Sequence, residues 1–181
     1  MLRFVAKDAC AWIAGMLQAL KTLDANTRRR LLEQTGKHCA VAHAHDEVAK
    51  RIAAETKDED ERLRRFMTEM KLLGTWTRQG DHLHAIHFEY PCKGQCLCPL
   101  VQSGLVELNA TLCDCTRGWA KASFEILLNR PVKVIVEKSL GRGDKTCSVV
   151  VNPNLPSRSR PSRSPGLRRS PGEKTERHSV A

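Results

Sequence analysis

At Gly74 the hydrophobic period of this chain changes, and that change sets which folds are open to it. Before Gly74 the apolar residues recur three and four apart, the period of an amphipathic helix. Val5, Trp12, Ile13, Met16, Leu17 and Leu20 make one such face. Asp24 or Asn26 caps a second helix through Gln34, with Gly36 as its stop. Val41, Val48, Ile52 and Ala53 belong to a third. The run TKDEDERLRRF opens a fourth, with acidic residues in its first turn, Leu63, Phe66, Met67 and Met70 as its stripe, and Gly74 as its end.

After Gly74 the period shortens. TWTRQ and HLHAIHFEY flank Gly80-Asp81 and predict a hairpin. His82 and His84 lie two apart there, on a face shared with Ile86 and Phe88. A Cys-, Gly- and Pro-rich loop follows from Pro91 to about Ser103. TRGWAKASFEILLNR then reads as a helix with Trp119, Phe124, Leu127 and Leu128 inward, and VKVIVEKSL and KTCSVVV as strands joined by GRGD. In the last strand Cys147, Val149 and Val151 point to one side. The expected class is α+β: N-terminal helices packed on an antiparallel sheet of about four strands, with one further helix between two hairpins. No internal repeat is present.

Chemistry concentrates in the cysteines. Six of the eight fall between Cys92 and Cys147, and four form two Cys-x-Cys pairs, Cys96/Cys98 and Cys113/Cys115, with fourteen residues between the pairs. Thiolates hold zinc tetrahedrally and also bind iron–sulfur clusters, so two close pairs suit a metal site. Extended backbone sends the sulfurs of a Cys-x-Cys pair to opposite sides, so the loops must bend for both to reach one ion. One thiol of each pair with Cys92, Cys39 or Cys147 is an alternative set, and redox thiols, nucleophilic thiols or buried inert cysteines are further readings. Cys115 precedes a helix, and exposed amides at a helix N-terminus favour an anion, so a lowered thiol pKa is expected there. His84 and His87 are additional candidate ligands, or general bases to a cysteine; His38, His43 and His45 read as surface residues.

The net charge of +10 is unevenly spread. The Ser/Arg/Pro-rich segment 155–181 carries seven Lys or Arg against two Glu, about half the excess, and is too poor in large apolar residues to order itself. The expected division is therefore a folded domain over 1–154 and a disordered basic tail, and nucleic acid enters as a partner only through that tail. No stretch approaches the roughly 18 apolar residues of a membrane span. The opening segment lacks a compact apolar block with a cleavage site, so a cytoplasmic location is expected, where clustered cysteines favour metal or thiol chemistry over disulfides.

Several strings occur together: LEQTG at 32–36 with Cys39-Ala40, QCLCPLV at 95–101, LCDCTRGW at 112–119, Phe124-Glu125, Pro131-Val132, EKS at 137–139 and GDKTC at 143–147. In this combination the chain resembles an uncharacterised prokaryotic Cys-x-Cys family, related to 4-vinyl-reductase-type ligand-binding domains and to 2-aminothiazoline-4-carboxylate hydrolase-like proteins. The resemblance covers roughly residues 30–151. It implies an α+β domain that binds a small molecule or a metal, often in sensing, and it points to Cys39, Cys96, Cys98, Cys113, Cys115 and Cys147. Cys92 and the Arg/Ser tail stand outside it.

The leading expectation is a small-molecule-binding or sensory domain with a metal held by Cys96, Cys98, Cys113 and Cys115, zinc ahead of iron–sulfur, with Cys39, Cys147, His84 and His87 in reserve. The alternative is a hydrolase: Cys115 or Cys98 as nucleophile with His84 or His87 as base, or metal-activated water. Neither the ligand nor the oligomeric state is legible. No Ser/His/Asp signature, glycine-rich phosphate loop or carboxylate pair is present, and GRGD is a turn rather than a phosphate cradle, since no helix follows it.

Overall fold

The computed structural model describes residues 2–92 and 94–153, with the side chains of residues 2–7 left aside. The expected tail over 155–181 lies outside the described residues. The elements are α1 (Leu2–Thr22), α2 (Ala25–Ala42), α3 (His45–Glu55), α4 (Glu59–Glu69), β1 (Leu73–Gln79), β2 (His82–Tyr90), α5 (Pro99–Gln102), α6 (Ala110–Cys113), α7 (Thr116–Leu128), β3 (Lys133–Lys138) and β4 (Cys147–Asn152). The fold is α+β, as its periodicities require.

The strands form one antiparallel sheet in the order β1-β2-β4-β3. β4 is central and its Val149, Val150 and Val151 are all buried, which explains an apolar run where an alternating one is usual. One face of the sheet carries Leu83, Ile86, Phe88, Val134, Val136, Val149 and Val151 into the core. α7 lies on that face, and α2, α3 and α4 pack on α7 from outside. Aromatic rings fill the join: Phe88 stacks on Phe124 at 5.4 Å, and Phe66 meets Phe124 edge-on at 5.6 Å. The Arg62 guanidinium donates to the carbonyls of Thr56 (2.6 Å), Ala53 (3.1 Å) and Leu127 (2.9 Å), tying the ends of α3 and α7 to α4.

Three local expectations change. Asp24 does cap α2, accepting from the amides of Asn26 (3.0 Å) and Thr27 (3.1 Å), but the helix runs through Gly36 to Ala42. Gly36 is there because α2 crosses α7 backbone to backbone at Gly118. A Cβ on Gly36 would lie 1.9 Å from the Cys115 carbonyl oxygen, and one on Gly118 1.9 Å from the Glu33 carbonyl oxygen. Gly74 likewise does not end α4; the helix closes at Met70 and Lys71, which takes φ 53°, while Gly74 sits in β1. Finally, Trp76 pairs with Ile86 and Thr77 with Ala85, but Arg78 pairs with Leu83, so the register shifts and β2 bulges at His84. The bulge reverses the side-chain parity. Leu83, Ala85, Ile86 and Phe88 are buried and His82 and His84 face outward, not on the face of Ile86 and Phe88.

The apolar stripe of α1 is not a core face. No described side chain of α1 is buried, and Trp12 and Met16 stay 68% and 47% exposed. Among the described residues no helix is long and apolar enough to cross a membrane.

Candidate functional site

The thiols meet in one place. Cys39, Cys92, Cys96, Cys98, Cys113, Cys115 and Cys147 all line a single cavity of about 380 Å³ between α2, α7 and the β2–β4 end of the sheet. Cys39 is carried there by the Gly36–Gly118 crossing, one helical turn after Gly36. Cys92, Cys96 and Cys98 come from the loop after β2, Cys113 from the end of α6, and Cys115 from the residue before α7. Cys147 opens β4 on the core-facing side. All are free thiols. Leu72, Leu112, Val136, Val149, Tyr90 and Trp119 supply apolar and aromatic wall, and His43, His45, Glu69, Lys71 and Lys138 stand among them.

The turn GRGD belongs to this site. Leu140–Arg142 forms a short 3-10 turn whose Arg142 pairs with Asp114, between the two cysteines of the second pair, at 2.7 Å. It also donates to the Val136 carbonyl at 3.0 Å. Gly141 is required by contact: a Cβ there would lie 2.6 Å from the Cys113 sulfur and 2.5 Å from the Asn109 carbonyl oxygen. The Leu140 amide reaches the Cys147 sulfur at 3.4 Å, and the Cys98 amide reaches the Cys96 sulfur at 3.4 Å.

Burial governs the electrostatics of the thiols. It pushes Cys115 up to about 12, with Cys98, Cys39, Cys113 and Cys96 close enough to add to the rise. This reverses the lowered value expected at the start of a helix: loss of water outweighs the helix dipole. Burial also raises Cys147, to about 11, and raises Cys39, Cys96 and Cys113 above their ordinary 9.0. In the metal-free protein these sulfurs are protonated at neutral pH.

The histidines redistribute. His84 and His87 are exposed and do not line the thiol cavity; His87 lies in a shallow depression on the opposite face of the sheet with Glu89 and Ser148. His43 and His45 line the cavity instead. His45 is half-buried rather than on the surface. Its Nδ1 accepts the Trp119 indole N–H at 2.6 Å, which fixes the ring proton on Nε2. Burial, then the neighbouring His43, holds its pKa below the ordinary value, so the imidazole is neutral. The Tyr90 ring lies tilted against Trp119 at 5.8 Å, and burial, with Cys115, Cys147 and Cys39 nearby, keeps its hydroxyl protonated well beyond the usual range. The combination Tyr90, His45 and Trp119 has no sequence signature, since 74 residues separate His45 from Trp119.

As a donor set the thiols suit a soft metal, being rich in sulfur and poor in hard oxygen. Their arrangement is open: among the described residues no three His, Cys, Asp or Glu side chains are grouped so as to hold a metal ion.

The fold and site define an α+β domain with helices on one face of a four-stranded antiparallel sheet and a cysteine-lined cavity beneath them. The chain belongs to the DUF6144 family, a family of unknown function, which matches residues 3–157. No curated protein matches it. Among solved structures, it is similar to the phenol-responsive sensory domain of the transcription activator PoxR with phenol: 17% identity, 80% of this chain and 74% of that one covered, TM-score 0.51. A second similar structure is subunit 3 of a trafficking protein particle complex from Naegleria fowleri, covalently bound to palmitic acid, at 14% identity, 82% and 92% coverage and TM-score 0.47.

Proposed function

We propose that this chain is a small-molecule-binding domain of the sensory type, whose ligand is a small apolar, aromatic-bearing molecule with one hydrogen-bonding group. The cavity carries this reading. At about 380 Å³ it lies in the roughly 300–1,000 Å³ range of ligand pockets, and it combines apolar walls with a few fixed polar groups. Tyr90 and Trp119 line it with aromatic surface, and Tyr90 and the Nε2–H of neutral His45 supply hydrogen-bond donors in the lining. The shared fold with a phenol-responsive sensory domain supports the same choice of ligand.

The same thiols would hold a metal through Cys96, Cys98, Cys113 and Cys115, zinc ahead of iron–sulfur. A metal there would supply a structural tie between the loop after β2 and the start of α7. The donor chemistry supports this reading; the sulfurs must rotate toward one another to complete it. In the hydrolase alternative neither His84 nor His87 can serve as the base, since neither lines the cavity.

Calorimetric titration of the reduced full chain with phenol and benzoate tests the ligand reading. Saturable binding is expected, weakened severalfold in Tyr90→Phe, which keeps the ring and removes the hydroxyl. Absence of saturable binding by either compound to the folded protein would refute it.

A further inference from the structure

We propose that the Ser139 hydroxyl fixes the ligand's oxygen in this cavity, and that this oxygen belongs to an uncharged hydroxyl group of the ligand. This rests on the ligand reading above and deepens it to one named contact and one named ligand group.

A buried hydroxyl with nothing to bond is the ground. Ser139 is 2% exposed and lines the cavity. Its amide donates to Asp144 Oδ2 at 2.8 Å, and its carbonyl accepts from the amides of Arg142 (2.9 Å) and Asp144 (3.2 Å). The hydroxyl is the polar group of the residue left without a partner. Buried polar side chains are hydrogen-bonded as a rule, so each exception needs a reason. Ser123 and Ser148 also carry unpartnered hydroxyls, but neither lines this cavity. Among the described residues, Ser139 is the one that joins an unpartnered buried polar atom to a place in the cavity wall.

The surroundings say what the hydroxyl meets. Cys113 is a neighbour: burial raises its thiol, while the Gly141 amide and the Ser139 hydroxyl act the other way. A thiol is a weak acceptor, which leaves the hydroxyl open to a better one. The Leu140 amide reaches the Cys147 sulfur at 3.4 Å, and Cys147 pairs with Tyr90 across the sheet, so Ser139 stands in the corner of the cavity that holds Tyr90. With the backbone of Ser139 held at both its amide and its carbonyl, rotation about Cα–Cβ is the movement left to it. That rotation carries the hydroxyl from Cys113 to a ligand oxygen. Burial keeps the Cys113 and Cys147 thiols neutral, and Lys138 beside them is exposed and keeps its charge in water. A carboxylate brought into this corner would lose its hydration in return for neutral donors. A hydroxyl loses far less, and it can both donate to Ser139 Oγ and accept from it.

The test compares phenol with toluene, which puts a methyl where phenol has its hydroxyl, by calorimetric titration of the reduced full chain, wild type and Ser139→Ala. Wild type should prefer phenol to toluene, and benzoate should bind more weakly than phenol. Ser139→Ala should weaken phenol about three- to tenfold, the range of one neutral hydrogen bond, and leave toluene unchanged. Its urea midpoint should stay level or rise, because alanine removes a hydroxyl that bonds nothing in the free protein. No loss for phenol, or an equal loss for phenol and toluene, overturns the proposal. So does a variant that unfolds or loses stability, since the hydroxyl would then be engaged within the protein itself. Benzoate binding as tightly as phenol overturns the choice of an uncharged hydroxyl. Wild type that binds neither phenol nor benzoate refutes the ligand reading, and this proposal with it; every other adverse result leaves that reading standing.

Discussion

Replacing Gly118 by alanine sets two effects of opposite sign against each other. Alanine is the better helix former by about 1 kcal/mol in a helix interior, so propensity alone makes Gly118→Ala stabilising. At this position, however, the new Cβ would lie 1.9 Å from the Glu33 carbonyl oxygen, 2.6 Å from its carbonyl carbon and 2.8 Å from its Cα. These are backbone atoms inside α2 and cannot swing away, so α2 and α7 must part by more than an ångström. Overpacking of this kind costs about 1–3 kcal/mol, occasionally more, and opening the crossing adds voids beneath it. The clash wins, for a net loss of about 2 kcal/mol, equivalent to a fall in Tm of about 4–8 °C for a chain of this size. Gly15→Ala in α1 is the matched control, since nothing lies within 4 Å of its Cβ position, and it should stabilise by up to about 1 kcal/mol. Urea unfolding followed by far-ultraviolet circular dichroism measures both. If Gly118→Ala is neutral or stabilising to the same degree as Gly15→Ala, the two helices do not touch through their backbones and the argument for Cys39 reaching the cavity fails with it.

The remaining tests are simpler. Arg62→Ala removes three hydrogen bonds to the carbonyls of Thr56, Ala53 and Leu127 and should cost about 2–4 kcal/mol in the same urea assay; a change below about 0.5 kcal/mol would mean water replaces the guanidinium freely. The metal-free protein should lose stability as pH rises from about 9, where unfolded thiols ionise, towards the folded values of about 11 for Cys147 and about 12 for Cys115. Below pH 9 those thiols are neutral in both states and contribute no slope, so a thermal midpoint that stays level up to pH 10.5 would contradict it. Peptide mapping after brief iodoacetamide treatment of the metal-free protein at pH 8 should find Cys115 and Cys147 largely unmodified, and rapid labelling of Cys115 would restore the lowered pKa that its place before a helix suggested.

How much of this was legible depends on whether a signal is local. The class of fold was, because the change from a period near four to a period near two at Gly74 is a property of neighbouring residues. The four paired cysteines were singled out by spacing alone, and the structure places all of them on the cavity. What escaped depends on a second segment. Gly36 reads as a helix stop until α7 supplies Gly118 opposite it, and His84 reads as inward-facing until the shift against β1 reverses its parity. The Cys115 pKa fails for the same reason: the helix end is written in sequence, whereas the burial that dominates it is not. His45 was assigned to the surface because its partner, Trp119, lies 74 residues away. The stripe on α1 is legible as an apolar face, but sequence alone does not say what covers it, and no described side chain of α1 is buried.

The two uses proposed for the cavity are not independent. The Tyr90 and Trp119 rings lie 5.8 Å apart on the same cavity wall as Cys115, Cys147 and Cys39, so a ligand on the rings and an ion on those sulfurs occupy adjoining space. Thermodynamic linkage then requires that each alter the affinity of the other by the same factor. Overlap makes that factor unfavourable, whereas a metal that draws the loop after β2 against α7 makes it favourable by pre-forming the wall. Titrating phenol into the metal-free chain and into the zinc-loaded chain measures the sign directly. A dissociation constant identical in both states would show that rings and sulfurs line separate compartments, and that the thiols are no part of ligand recognition.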